Sequence, residues 1–166
     1  GATLDFYSNS RKSIDALINL AVELGVGVDV HIDEHLDAER SLTTYFVDAI
    51  SSLGPVVPAA LGHACGLVSL TDNRRRSVLP NLREAKVTVI ALPYTNLFLQ
   101  DRSRRAMRRR GLTAISELAD AGVALRLGSD NVRDAFFPFG DGDLLEVAFL
   151  AVIVAQLSDP AAIVPA

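Results

Sequence analysis

The alternation of short, continuously apolar segments with amphipathic helical patterns constrains this chain more than any other feature. The apolar segments lie at residues 26–32, 59–62, 87–91 and 123–128. Helical patterns of about 10 to 15 residues separate them. Short apolar strands joined by such crossover helices are typical of a parallel sheet that is covered on both faces. The sequence therefore predicts an α/β fold with four parallel strands, in a single domain over residues 1–166.

Capping and breaking residues mark the ends of the predicted helices. Residues of the types that cap helix N-termini precede three of the helices: Ser10, Thr113 and Asp143. Gly25 should end the first helix, and the glycine and proline at 54–55 should stop the second, over 42–53. A third helix is predicted over 73–85, where Pro80 should kink it or split it in two.

Composition and charge restrict the class of partner. The chain has 166 residues, of which 49% are apolar, which is enough to bury a core. Its formal net charge is −4 and its isoelectric point is near 5.3. Nucleic-acid binding needs an excess of Lys and Arg on at least one face. A small polar substrate fits this balance better than a nucleic acid does.

Two arginine-rich segments raise nucleic-acid binding as an alternative. They contain Arg74 to Arg76 and, in the string DRSRRAMRRRG, Arg102, Arg104, Arg105, Arg108, Arg109 and Arg110. No aromatic residues alternate with these arginines to stack on bases. We therefore interpret both segments as solvated faces or as a subunit contact, and a homo-oligomer remains open.

The sequence predicts neither a membrane span nor export. Its most apolar stretch, residues 147–155, has nine residues, fewer than the roughly 20 needed to cross a bilayer, so we predict a buried helix there. No basic start followed by an apolar run and a cleavage site precedes the first helix. The single cysteine, Cys65, excludes an internal disulfide and is expected to be a small buried hydrophobe. We expect a cytoplasmic protein.

Polar side chains collect where each predicted strand ends. They are His31, Asp33 and Glu34 after the first strand, His63 after the second, Asn96 and Gln100 after the third, and Asp130 and Asn131 after the fourth. The carboxyl ends of neighbouring parallel strands meet at one edge, so residues far apart in sequence can form a single site there. Periodicity alone does not separate an open doubly wound sheet from half of an eight-stranded barrel.

This set of residue types predicts a catalytic metal site. Imidazole and carboxylate together suit zinc or iron(II), with His31 and Asp130 as the natural ligands. Such a metal lowers the pKa of its bound water towards neutrality and makes hydroxide available as a nucleophile. Glu34, three residues beyond His31, could move protons without being a ligand.

Structural roles for the same residues remain open at this point. Asp130 could be an Asx-turn residue, and Asn96 and Gln100 could satisfy loop backbone groups. In the string HIDEHLDAER, Glu34 could be a solvated charge that opens a helix, and we expect this of Asp33, His35 and Asp37.

Four strings in order resemble the later half of bacterial cytosine deaminases, which are members of the amidohydrolase superfamily. The strings are VDVHIDEHLDAE, LGHACGLVSL, ALPYTNLFLQDR and LGSDNVRDAFFPFGDGDLLEVAF. The resemblance covers nearly the whole chain. It implies that the chain forms about half of a TIM (β/α)8 barrel and that the predicted strands are the fifth to the eighth.

The resemblance also implies roles for individual residues. His31 resembles the metal ligand on the fifth strand, and Asp130 resembles the eighth-strand ligand that also takes a proton from the metal-bound water. Glu34 resembles the acid that protonates a ring nitrogen of the substrate. His63 resembles the sixth-strand histidine, which lies beside the nucleophilic water in single-metal deaminases and is a ligand in two-metal relatives. The HxxE pairing of His31 with Glu34 favours the single-metal arrangement.

Two departures from the cytosine deaminase pattern bear on the substrate. Asn131 stands where the relatives have a second aspartate, and Phe136 stands where they have tryptophan. Both are expected to bind the substrate, and an amide can donate a hydrogen bond where a carboxylate only accepts one. The resemblance therefore implies hydrolysis of a cyclic amidine bond in a cytosine-like heterocycle, as in pyrimidine metabolism, with isocytosine-like rings left open.

Parts of the family's active site have no counterpart in this sequence. The chain contains only His31, His35 and His63, so the pair of histidines on the family's first strand is missing. We therefore expect these residues to be inactive in isolation. The alternatives are an amidohydrolase acting on a cyclic amide or an N-acyl group, and a non-catalytic remnant that keeps the fold without the metal.

Overall fold

A five-stranded parallel sheet organises the chain. The computed structural model describes residues 2–53, 57–102 and 110–159. All strand pairs are parallel, and the strand order in the sheet follows the chain order, β1-β2-β3-β4-β5. The strands are β1 Ala2–Thr3, β2 Val28–Ile32, β3 Ala59–His63, β4 Thr88–Ala91 and β5 Leu125–Leu127. The parallel α/β prediction is confirmed.

Helices connect successive strands. The α-helices are α1 Ser10–Leu24, α2 Thr43–Leu53, α3 Asp72–Glu84, α4 Pro93–Leu99, α5 Ile115–Asp120 and α6 Leu144–Val154, and the short 3₁₀ helices are Ala38–Arg40 and Cys65–Ser69. Each of β1 to β4 is followed by at least one helix before the next strand begins, as the crossover connections of a parallel sheet require.

The four predicted strands correspond to β2 to β5, but three of them begin one or two residues later than predicted. The first apolar residue of each predicted segment still belongs to the end of the preceding helix. The amides of Val26, Val87 and Val123 donate to the carbonyls of Ala21, Leu82 and Leu118, respectively. These bonds close helix C-termini, so the chain joins the sheet only after them.

A fifth strand, β1, was not predicted. Only Ala2 and Thr3 pair with β2, opposite Val30 and His31. Two residues are too few to show the period-2 or continuously apolar pattern by which strands are recognised. The number of parallel strands in the described residues is therefore five, and the predicted four was wrong.

Two of the three predicted helix caps were also wrong. The side chain of Asn9, not Ser10, caps α1, and the Ser10 hydroxyl donates to the Leu4 carbonyl. The Thr113 hydroxyl donates to the carbonyl of His63 instead of capping α5. The predicted cap Asp143 is confirmed, because its carboxylate accepts from the amide of Leu145.

The helix terminators gave mixed outcomes. Gly25 ends α1 in the left-handed conformation, with φ of 63°, as predicted. Pro80 does not split the third helix, because α3 is one element with Pro80 inside it. Pro80 is exposed while Val78, Leu79 and Leu82 are buried, so water can reach the backbone that the proline leaves without a partner. Residues 54–55, predicted to stop the second helix, lie outside the described residues.

The main apolar core lies between the sheet and helices α1 to α3. Its fully buried members include Ile14, Phe46, Leu61, Leu82 and Leu118. Helix α6 differs from its prediction as a buried helix: only Val147 and Ala151 are buried, and Leu145, Phe149 and Ile153 are exposed. Across the described ranges, no helix has the length and apolar character that a membrane crossing requires.

The core predicts a difference between two leucine truncations. Leu82 is 0% exposed and Leu24 is 62% exposed. Leu82→Ala should lower the free energy of unfolding by about 2–5 kcal/mol, because it removes buried methyl groups and leaves a cavity. Leu24→Ala should change it by less than about 0.5 kcal/mol. Urea denaturation followed by circular dichroism measures both, and equal losses would contradict the assignment of the core.

Candidate metal and catalytic site

The carboxyl ends of the strands form one cavity of about 420 Å³. β1, β2, β3 and β5 each contribute residues at or near their carboxyl ends, and after β4 the last residue of helix α4 and the residue that follows it contribute two more. The lining residues are Thr3, Asp5, Phe6, His31, Glu34, His35, Arg40, His63, Leu99, Gln100, Asp130, Asn131 and Phe136. Every residue predicted to act in catalysis, metal binding or substrate binding is among them.

Three of the predicted site residues form a compact group of potential metal ligands. His31 Nδ1 lies 3.0 Å from His63 Nε2, and His63 Nε2 lies 3.9 Å from Asp130 Oδ2. One ligand atom from each of these three residues can be chosen so that all lie within 4.8 Å of one another. Two imidazoles and a carboxylate suit zinc or iron(II), so the donor set fits a divalent metal.

The orientation of His63 is fixed from behind by Asn96. His63 Nδ1 lies 2.7 Å from Asn96 Oδ1, and because an amide oxygen only accepts, Nδ1 carries the proton. Nε2 then directs its lone pair towards His31 and Asp130 in the neutral ring. The His63 side chain is 2% exposed, and its burial lowers its pKa, which favours the neutral form that binds metals or accepts protons.

Asn96 and Gln100 have different roles. Asn96 is fully buried and contacts a predicted site residue rather than loop backbone. Gln100 satisfies loop backbone groups, as one of the open alternatives stated: its Nε2 donates to the carbonyl of Glu34 at 3.2 Å, and its Oε1 accepts from the amide of Gly111 at 2.5 Å.

Glu34 lies inside the cavity and is not a solvated charge. Its side chain is 19% exposed, and its Oε2 is 3.9 Å from His63 Nε2. Burial away from water, with the negative charges of Asp130 and Asp5, raises the pKa of Glu34 to about 7. A carboxyl group in this position can hold or release a proton near neutral pH.

Asp130 follows β5 with a left-handed backbone, φ 61°. Its carboxylate lies at His63 and, among the described residues, accepts no hydrogen bond from a loop amide, so the Asx-turn alternative has no support in the geometry.

Asn131 and Phe136 lie at the mouth of the cavity. The Asn131 amide nitrogen donates to Asp134 at 2.6 Å, which leaves its oxygen as the acceptor, and Phe136 is 61% exposed.

Asp33 was expected to be a solvated charge, and this was wrong. It is 0% exposed, and its carboxylate accepts four hydrogen bonds from residues that lead into α2. The donors are the hydroxyls of Ser41 at 2.5 Å and Thr43 at 2.7 Å, and the amides of Leu42 at 2.6 Å and Thr43 at 3.2 Å. Charge-assisted bonds to amides and hydroxyls offset the loss of water around the carboxylate. Asp37, in contrast, is an exposed helix cap as expected.

Asp5 is the residue at this edge that sequence reasoning missed. It follows β1, and its side chain is only 5% exposed. Together with Asp33 and His35 it forms a second group of potential ligand atoms. Its oxygens, however, accept from the amides of Asp33 and Glu34 at 3.0 and 2.7 Å, and those of Asp33 accept the four bonds above. This second group is therefore a hydrogen-bonded support for the loop.

A signal for Asp5 existed in the sequence but was weak. The sequence showed polar residues at the ends of four strands, because each of those strands is a recognisable apolar run. Only Ala2 and Thr3 precede the turn that carries Asp5, so no strand end was recognised there.

Comparisons with known proteins identify the family of this chain. A model of the amidohydrolase family matches residues 5–159, and the chain therefore belongs to the amidohydrolase family. A pterin deaminase from Rhizobium rhizogenes is 40% identical over 100 residues, which is 60% of this chain and 23% of that protein.

Solved structures share the fold. Two structures of 5-methylcytosine deaminase from Klebsiella pneumoniae, with 5-fluorocytosine and with phosphonocytosine, have TM-scores of 0.85 and 0.84 at 23% and 24% identity. They cover 95% and 96% of this chain. N-isopropylammelide isopropylaminohydrolase from Burkholderia multivorans covers 98% of it, with a TM-score of 0.75 at 23% identity. The chain spans 39% of each of these proteins. The predicted superfamily is confirmed.

The burial of Asp33 predicts a large effect of a small substitution. Asp33→Asn keeps the shape but turns an amide group towards donors, so it should lower the free energy of unfolding by about 2–3 kcal/mol. Asp37→Asn is the control, because Asp37 is exposed and accepts one amide bond, from Glu39, and asparagine caps about as well as aspartate. Chemical denaturation of both variants measures the difference, and an unchanged stability of Asp33→Asn would contradict the assigned hydrogen bonds.

The surroundings of Cys65 predict an unreactive thiol. Cys65 is 0% exposed, and burial raises its pKa to about 12, so almost no thiolate, the reactive form, is present at pH 8. A colorimetric disulfide reagent should therefore react at pH 8 only after denaturation. Full reaction within seconds in the native protein would contradict both the burial and the raised pKa.

Proposed function

We propose that this chain carries part of the active site of a metal-dependent hydrolase that releases ammonia from an amino-substituted nitrogen heterocycle. The observation that supports it most is the convergence of His31, His63 and Asp130 with Glu34 in one cavity. The substrates named for the related pterin deaminase and 5-methylcytosine deaminases support the same class of reaction.

In this proposal His31 and Asp130 hold a divalent metal, zinc or iron(II), with His63 beside it. The metal, when bound, supplies the Lewis acidity that makes water nucleophilic at neutral pH. Asn96 keeps the Nε2 lone pair of His63 directed at this position, through the 2.7 Å contact to Nδ1. A support of this kind holds the ring orientation without contacting the substrate.

Two carboxyl groups divide the proton transfers. Asp130 accepts the proton of the attacking water, since its carboxylate lies in the ligand group. Glu34 delivers a proton to a ring nitrogen next to the attacked carbon, from its position 3.9 Å from His63. Asp130 then passes its proton to the exocyclic amine while the ionised Glu34 takes the proton of the new hydroxyl group. The carbon–nitrogen bond breaks, ammonia leaves, and the ring carbon retains the water oxygen as a carbonyl.

The substrate of the proposal is a ring in which an exocyclic amine stands next to a ring nitrogen. Cytosine, isocytosine and pterin share this amidine group. Phe136 offers an aromatic face at the cavity mouth, and Asn131 offers an amide oxygen as acceptor. The cavity of about 420 Å³ is of the size that commonly binds small molecules. A heterocycle-specific enzyme of this kind fits a cytoplasmic location and needs no nucleic acid or membrane partner, and a homo-oligomer is compatible with it.

The remaining parts of the proposed site come from outside this chain. We propose that β2 to β5 are the fifth to eighth strands of a TIM (β/α)8 barrel. The chain spans 23% of the related pterin deaminase, and its three histidines leave no counterpart for the family's first-strand pair. The proposed activity therefore belongs to the whole protein, and these residues alone are proposed to be inactive.

This function is tested by measuring metal content and ammonia release. The protein is produced from the coding sequence of this chain together with the coding sequence that flanks it. With cytosine, isocytosine and pterin as substrates, about one metal per chain and ammonia from at least one ring are expected. His31→Ala and Asp130→Ala should lose both, because each removes a ligand. Glu34→Gln should keep the metal but lower the rate by about 10²–10⁴-fold, the usual contribution of a general acid.

Asp48→Asn is the matched control, because Asp48 lies on helix α2, is exposed and is outside the cavity lining, so it should keep metal and activity. Metal without ammonia would favour an amidohydrolase that acts on a cyclic amide or an N-acyl group. No metal in the completed chain would favour a non-catalytic remnant and overturn the proposal.

A further inference from the structure

We propose that Asp5 is a positioning residue, which sets the location of the Glu34 carboxyl group by holding the backbone that carries it. This inference rests on the proposed function, in which Glu34 moves a proton. Asp5 follows β1 and Glu34 follows β2, and the parallel pairing of these two strands brings Asp5 next to the Glu34 backbone.

The contacts of Asp5 are directed at two consecutive peptide groups. Asp5 Oδ1 accepts from the amide of Asp33 at 3.0 Å, and Asp5 Oδ2 accepts from the amide of Glu34 at 2.7 Å. The Asp5 side chain is 5% exposed, so water does not compete strongly for these bonds. Amide bonds to a carboxylate are stronger than bonds between neutral groups.

These two amides need a partner from outside the sheet. The pairing of β2 with β3 ends at Ile32 opposite His63. Asp33 then takes a left-handed conformation with φ of 57°, which turns the chain away from the ladder and is uncommon for a residue with a side chain. The amides beyond the turn cannot bond to β3, and an unpaired buried amide is costly. Asp5 supplies both acceptors.

Further contacts hold neighbouring groups of the same two residues. The carbonyl of Glu34 accepts from Gln100 Nε2 at 3.2 Å, and the side chain of Asp33 is bonded to the start of α2. Asp5 is itself fixed, because the amide of Leu4 donates to the carbonyl of His31 at 2.9 Å. The backbone of Glu34, which follows β2, is thus tied through Asp5 to the segment that follows β1.

Asp5 also carries one of the negative charges that raise the pKa of Glu34, but it does not hold a metal. Both of its oxygens already accept amide bonds. His35 Nδ1 accepts from the amide of Asp37 at 3.2 Å, so the proton of the neutral ring is on Nε2, which lies 3.9 Å from Asp5 Oδ1. A protonated nitrogen does not bind a metal, so Asp5 and His35 do not form a second metal site.

Replacement of Asp5 by asparagine and by alanine tests the proposal. D5N offers one acceptor oxygen for two amides, and D5A offers none. The expected result is a kcat about tenfold lower for D5N and about 100-fold lower for D5A, since small displacements of a reacting group have effects of this size. KM should change by less than about threefold, because substrate contacts are unchanged.

D15N is the matched control. The Asp15 carboxylate on α1 also accepts through both oxygens, at 2.7 and 2.9 Å from the Tyr45 hydroxyl, and it lies outside the cavity lining. D15N should keep kcat and KM. Amide hydrogen exchange by NMR gives a second readout, and the amides of Asp33 and Glu34 should exchange at least about tenfold faster in D5N than in the wild type or D15N.

The outcomes separate the two proposals. Faster exchange with lower kcat and unchanged KM in D5N supports the positioning role. Faster exchange with unchanged kcat shows that Asp5 is only structural, and unchanged exchange shows that it does not hold this backbone; either result overturns the inference. If the wild type turns over none of the rings, the proposed function fails. The exchange measurement still applies in that case: slow exchange of the Asp33 and Glu34 amides in the wild type and fast exchange in D5N would show that Asp5 holds the Glu34 backbone.

Discussion

Parallel pairing of β1 to β5 in chain order is the constraint on which the rest of this structure depends. Because all strands run in the same direction, all of them end at one edge of the sheet, and residues as distant in sequence as Asp5 and Asp130 line one cavity. The register also sets the finer geometry. His31 pairs with Gly62 and Ile32 pairs with His63, and glycine at 62 leaves room for the His31 ring, since a Cβ there would lie 3.3 Å from His31 Nδ1. The register thus brings the two imidazoles to hydrogen-bonding distance.

Three of the five strand ends share a second feature, a residue with left-handed backbone conformation at or just after the end of the strand. Asp33, His63 and Asp130 all have φ between 57° and 71°. Residues other than glycine rarely adopt such positive φ angles. Buried hydrogen bonds hold two of these turns. The Asp33 carboxylate bonds to the start of α2, and His63 is held by Asn96 at its ring and by Thr113 at its carbonyl. The same bonds that stabilise the fold therefore present the polar side chains to the cavity.

Electrostatics at this edge follow from the same burial. Glu34 has limited contact with water, and this burial, together with the negative charges of Asp130 and Asp5, raises its pKa. Asp33 and Asp5 are also acidic and largely buried, but amides and hydroxyls surround their oxygens. The four carboxyl groups at this edge of the sheet thus have two kinds of environment. Asp5 and Asp33 accept hydrogen bonds from amides and hydroxyls, and Glu34 and Asp130 face the cavity.

The sequence by itself determined what depends on local pattern. Four strands follow from apolar runs, the helix ends at Gly25 and Asp143 follow from conformational freedom and capping chemistry, and the positions of His31, Glu34, His63 and Asp130 at strand ends follow from where those runs stop. Tertiary structure decided everything that depends on a partner distant in sequence. β1 exists because two residues pair with β2, Ser10 and Thr113 bond to carbonyls of other segments instead of capping helices, and Asp33 is buried because α2 supplies its donors. A polar side chain bonds to whichever group the fold brings within about 3 Å, and that distance is not encoded in residue type or period.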